Sequence, residues 1–108
     1  MLLLLLQLTL AAPPPSTDAP SDPGRSAYVA KCQACHGPEG KGDGPAARAL
    51  PKPPPDFTTS AFWKDQSPAA LRGIIANGRP GTAMRGFPMS NEQLTQLVAY
   101  LQTLRPAP

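Results

Sequence analysis

Both cysteines and the single histidine of this chain fall within five consecutive residues: Cys32, Gln33, Ala34, Cys35 and His36. All of its thiol and imidazole chemistry is therefore gathered at one point. Residues three apart on a helical turn lie on the same side, so both thiols can face one flat partner. Each can add across a vinyl group of a haem, and the adjacent imidazole is then carried under the ring toward the iron. The spacing C-x-x-C-H is the attachment signature for c-type haem. Covalent attachment also retains a cofactor that a small fold could not otherwise keep.

Other uses of these residues fit less well. A disulfide between Cys32 and Cys35 suits an exported chain, but its tiny loop would close little entropy. A thioredoxin-like dithiol also uses C-x-x-C, yet that fold needs alternating strands and helices, and this sequence has no β-rich runs. Zinc wants four ligands, and only three donors stand here, with no second cluster.

His36 supplies one axial position, and no second histidine exists to supply the other. Thioether sulfur is the next natural donor, and Met/His ligation raises the reduction potential. Met1 is expected to leave with a signal segment, so Met84 and Met89 remain. Met84 sits in GRPGTAMRGF, between Gly81 and Gly86. Small neighbours let the backbone approach a flat ring. Met89 directly precedes Ser90 and can pack on Leu94 as a hydrophobic staple. Met84 is the expected ligand; Met89, or a site left open or taken by lysine, is the alternative.

These side chains need elements to position them. Arg25 to Cys35 is rich in helix formers and has no interior Gly or Pro, with Tyr28 and Val29 as inward candidates. Gly37 to Asp56 holds too many prolines and glycines for a long helix, although Ala46 to Leu50 can form one turn. An ordered loop this long usually wraps something, and a haem edge is a suitable object. Ser67 and Pro68 open a helix that runs to Asn77 and ends at Gly78. Its apolar stripe is Leu71, Ile74 and Ile75. Ser90 and Gln93 form a capping box for a last helix, Asn91 to Leu104. Leu94, Leu97, Val98, Leu101 and Leu104 line its core face, with Tyr100 beside them.

The 108 residues include 16 prolines and 9 glycines, and only 6% are aromatic. A core drawn from fewer than about 90 residues is marginal and often leans on a cofactor. Met1 to Ala12 has the apolar length and the small terminal residues of a secretory signal, without a basic residue ahead of it. It is too short to cross a bilayer; an uncleaved tether is the lesser alternative. Residues 13–23 read as a Pro-rich linker, and residues 24–108 as the domain. Asp18 and Asp22 are the only charges before Gly24, so of the chain's 10 basic and 7 acidic residues the domain keeps a net +5. Such a surface suits acidic protein partners. The basic residues are scattered without aromatic interleaving, so nucleic-acid binding has little support.

Taken together, these residues resemble the class I mono-haem cytochromes c, over roughly residues 24–104. Gly24 and Tyr28 resemble the glycine and aromatic of that family's first helix. Tyr100 resembles the aromatic of its last helix, which the first crosses closely. GTAM is similar to its methionine loop, with Met84 on the ligand position. CHGPEGKGDGPAARAL is similar to a bacterial form of the loop after the haem. Gly44-Pro45 resembles the family's Gly-Pro, which implies that the Pro45 carbonyl accepts the ring proton of His36 and orients it. By the same resemblance Trp63 donates to a haem propionate, with plain packing the equal alternative. Arg48 and Arg79 are further propionate candidates. The Pro-rich loop and short middle depart from the mitochondrial type, so no partner surface carries over.

The expected architecture is all-α: a cytochrome c fold of three main helices and long loops around one covalent haem c. The cofactor-binding residues are Cys32, Cys35, His36, Met84, Pro45 and Trp63, with iron on His36 and Met84. The expected function is one-electron transfer between larger redox proteins in the periplasm, by a monomer with no small-molecule substrate and no enzymatic reaction. Two alternatives stand: an electron-transfer subunit of a specific dehydrogenase or oxidase, and a haem sensor or peroxidase with an open sixth site.

Overall fold

In the computed structural model, which describes residues 22–107, the elements are helices joined by loops, with one isolated antiparallel bridge between Gly78 and Arg85. The signal segment and most of the linker proposed above lie outside the described residues. Helix α1 spans Pro23–Lys31, and Asp22 caps it by accepting from the Arg25 N–H at 3.0 Å. Proline at the first helical position loses nothing, because its N–H would have no partner there. The helix thus takes in the last residue assigned to the linker.

The continuous helix expected from Arg25 to Cys35 is broken at Cys32. Helix α2, Gln33–His36, is a separate single turn that ends at Gly37 with φ 86°. Local propensity favours continuation, but Cys32 stands at φ −117°, away from the helical value, between the two helices. A 3-10 helix over Pro45–Ala49 occupies the place expected for one turn. Helix α3, Ser60–Trp63, is a short turn capped by Thr59. No element is expected there from the sequence, because four residues are too few to show an apolar period.

Helix α4 spans Pro68–Asn77, as its signals predict, with Ser67 Oγ accepting from the Ala70 N–H at 3.1 Å and Gly78 closing it at φ 74°. Helix α5 covers Asn91–Gln102 and begins with the expected capping box: Ser90 and Gln93 exchange bonds of 3.0 and 3.1 Å. Its last predicted turn loosens after Gln102.

One apolar cluster joins these elements. Tyr28 from α1, Leu71 and Ile75 from α4, and Leu94, Leu97, Val98 and Leu101 from α5 are buried together with Phe57 and Trp63. Arg72 ties α4 to α5 at the surface by donating to Thr95 and Asn91. The α1–α5 contact is the most extensive between elements, and Gly24 makes it possible. A Cβ built there would lie 2.2 Å from the Gln96 carbonyl oxygen. Beyond that point the Tyr28 and Tyr100 rings meet at 5.2 Å.

Two alanine substitutions should therefore have opposite signs. Gly24→Ala forces backbone apart from backbone and is expected to cost about 1–3 kcal/mol. Gly73, in the interior of α4, has nothing within 4 Å of an added Cβ. Gly73→Ala is expected to stabilise by up to about 1 kcal/mol through helix propensity. Reversible unfolding of both variants measures the difference.

Candidate cofactor site

The Cys-x-x-Cys-His segment is built as a turn held from outside. The Cys32 carbonyl accepts from the N–H groups of both Cys35 and His36, at 3.2 and 2.9 Å. Tyr28 Oη donates to the Gly37 carbonyl just beyond the turn. The loop that follows folds back over it: the Gly42 N–H donates to His36 O at 2.8 Å and the Gly44 N–H to Cys35 O at 3.1 Å. Gly44 lies so close that a Cβ would stand 2.2 Å from Ala34 O. The loop thus closes on the motif backbone.

Both thiols are free and half-buried. Burial pushes the Cys32 thiol up to about 11. A redox dithiol needs the opposite shift, toward thiolate. Burial also holds the His36 imidazole below its ordinary value, which favours the neutral form that metals bind. Among the described residues, no three His, Cys, Asp or Glu side chains converge as ligands of a metal ion. Zinc therefore lacks a donor set.

His36 Nδ1 is buried and has no hydrogen-bond partner. The Pro45 carbonyl, which the resemblance implies as acceptor of the imidazole proton, belongs to the residue that opens the 3-10 helix. The imidazole is flanked by Phe57, ring to ring at 4.8 Å and 20°. Phe57 escaped sequence reasoning; its signal is the D-F-T run after three prolines. Asp56 there accepts from the Thr58 N–H at 2.8 Å, which makes Phe57 the apex of a turn.

Trp63 donates its one N–H to the Phe57 carbonyl at 2.7 Å, and its ring is buried in the core. Arg48 and Arg79 are both exposed.

Met84 and Met89 are separated by their surroundings. Met89 packs against the core cluster, as a staple should; Met84 is half-buried and lies outside that cluster. The Met84 loop is closed at its base by main-chain bonds. The Arg79 N–H donates to Met84 O at 3.1 Å and the Phe87 N–H to Ile75 O at 2.8 Å. A Cβ on Gly78 would stand 2.7 Å from Met84 O. Lys31, beside Cys32, reaches over the Phe87 ring at 6.0 Å, so the loop's far end returns to the motif.

Two free thiols on one turn, a half-buried imidazole next to them and a thioether kept out of the core form a donor set that fits a haem. Cys32 and Cys35 could hold it, with His36 and Met84 as axial ligands.

Comparison with known proteins agrees. The family model described as Cytochrome c matches residues 21–105. The dihydro-heme d1 dehydrogenase of Pseudomonas aeruginosa is 35% identical over 86 residues, which cover 78% of this chain and 15% of that protein. The chain thus spans only a small part of that relative's length. Among solved structures, the Kuenenia stuttgartiensis reducing HAO-like protein complex is similar at TM-score 0.68 and 22% identity, over 89% of this chain and 46% of that one. The KustC0563 c-type cytochrome is similar at TM-score 0.60 and 20% identity, over 76% of this chain and 96% of that one. These two likenesses concern the fold.

Proposed function

This chain belongs to the cytochrome c family, and on that premise we propose that it is a periplasmic one-electron carrier working between larger redox proteins. The observation that carries the reading is the single turn that presents two free thiols beside the half-buried His36 ring. In this reading Cys32 and Cys35 hold one haem c through thioethers, and His36 and Met84 bind its iron. The bound iron supplies the one-electron couple. Loop residues 37–44 grip the carbonyls of Cys35 and His36 and keep the axial imidazole in place. The main-chain closure at Gly78 and Arg85 holds the Met84 loop. Two ligands on well-braced backbone keep the coordination nearly constant between oxidation states, which suits transfer without bond-making.

Surface charge supports a protein partner. Lys31 and Arg85 both stand over Phe87, at 6.0 and 5.0 Å. These cations next to the Cys32 end of α1 favour an acidic partner by speeding encounter. No helix among the described residues is long and apolar enough to cross a membrane.

A second reading is an electron-entry module of a larger assembly. The similarity to 15% of a dehydrogenase favours it. Purification of the native protein distinguishes them: the carrier emerges alone, the module with its enzyme. Carbon monoxide tests the sixth ligand. The reduced protein is expected to bind it slowly and incompletely, and rapid saturation would return the open-site sensor or peroxidase.

A further inference from the structure

We propose that the surface hollow over Trp63 is a second electron-exchange face, fitted to an acidic redox protein, and that Trp63, Phe62 and Phe57 join it to His36. The assignment rests on the haem reading above. The hollow, of about 400 Å³, is lined by Ser60, Trp63, Lys64 and Arg105, with Pro106 and Ala107 at its rim. Lys64 and Arg105 are exposed, and neither is in an ion pair among the described residues. The Arg105 guanidinium lies over the Trp63 ring at 5.1 Å. A cation on an aromatic face is held by the ring and keeps its charge, so Arg105 still meets a partner as a cation. Asp65, exposed beside Lys64, offsets one of the two charges. None of the lining residues belongs to the group of Lys31, Arg85 and Phe87. The molecule thus carries two separate cationic faces.

Behind this hollow the rings touch in series. Trp63 meets Phe62 edge to face at 5.1 Å, Phe62 meets Phe57 at 4.9 Å, and Phe57 lies against His36 at 4.8 Å and 20°. A hydrogen bond runs alongside: Trp63 Nε1 donates to Phe57 O at 2.7 Å. Trp63 and Phe57 are each only 7% exposed, so the series is packed and dry from the hollow inward. Electronic coupling falls more slowly through packed atoms and hydrogen bonds than across a gap, and interiors packed to crystal density leave few gaps. The exchange is one electron, given up by the reduced carrier and taken by an oxidised redox protein, or the reverse. No bond or proton moves, and the rings themselves are not oxidised. Acidic groups on the partner are drawn to Lys64 and Arg105, which speeds encounter at this face. A carrier with two faces can accept at one and release at the other.

The test applies two trivalent anions to the loaded, reduced protein at low ionic strength. Hexacyanochromate(III) is paramagnetic and takes no electron, so it reports where acidic groups bind. It is expected to broaden the NMR signals of both the Trp63 Nε1–H and the Phe87 amide. Arg105→Glu should spare the first and leave the second broadened. Hexacyanoferrate(III) accepts one electron and reports exchange, measured in a Lys31→Glu, Arg85→Glu background that closes the other face. There Lys64→Glu and Arg105→Glu should each slow oxidation about threefold more than Lys52→Glu, which makes the same change in net charge. Lys52 is exposed and lines neither face. The difference should vanish as salt rises. Trp63→Phe, which loses the N–H and part of the ring, should slow exchange while the Lys64 amide stays broadened by hexacyanochromate(III). Broadening confined to Phe87, or equal rates in Arg105→Glu and Lys52→Glu, would overturn this face and leave the haem reading standing. A wild-type chain that takes up no haem would overturn the cofactor reading and this face with it.

Discussion

Replacing Cys35 by serine is expected to cut the yield of covalently bound haem at least tenfold. Serine keeps the size and the turn but cannot form a thioether. Only Cys32 then anchors the cofactor, and the small apolar core around it, with nine buried side chains among the described residues, is not enough to retain a loosely held ring. The measurement is haem that stays with the chain after denaturation and extraction with acidic solvent, after expression in a host that matures such proteins. Gln33→Ala, between the cysteines, serves as the control and should mature normally. Wild-type amounts of bound haem in Cys35→Ser would remove the basis of the attachment assignment.

Met84→Ala should abolish the thioether–iron absorption band, lower the reduction potential and convert slow carbon monoxide binding into fast, complete binding. The local frame makes this a clean experiment. The loop is tied by main-chain groups of Arg79, Met84 and Phe87, and by Thr82 Oγ1 accepting from the Met84 N–H at 3.2 Å. None of these bonds involves the Met84 side chain, so alanine removes the sulfur and leaves the loop. Met89→Ala is the contrasting variant. It empties part of the core edge and is expected to cost about 2 kcal/mol of stability with the band intact. The reverse pattern, with the band lost in Met89→Ala, would transfer the ligand role to that residue.

Much of this arrangement is legible in the sequence wherever a local signal does the work. Ser67, Pro68 and Gly78 bound α4 because caps and breakers act on their nearest neighbours. The capping box of Ser90 and Gln93 marks the start of α5 for the same reason. The spacing of Cys32, Cys35 and His36 names a chemistry, since that pattern has few other uses. What sequence cannot show are contacts made over distance. The break at Cys32, where φ turns to −117°, has no mark in the local sequence, and neither has the return of Gly42 and Gly44 to the carbonyls of His36 and Cys35. The seat of Gly44 on Ala34 O, with no room for a side chain, is such a contact. Trp63 carried no signal that its N–H would be spent on Phe57 O, six residues earlier. Phe57 itself reads as an ordinary apolar residue until a ring is seen against it.

The seat of Gly24 on Gln96 has a consequence for how the molecule is made. These two positions are far apart in sequence, and their contact leaves no gap that a side chain could fill. During synthesis the thiols emerge long before α5 exists to clasp α1. Assembly that depends on such remote partners is slow to finish. Until the last helix arrives, the motif stands on an unclosed chain.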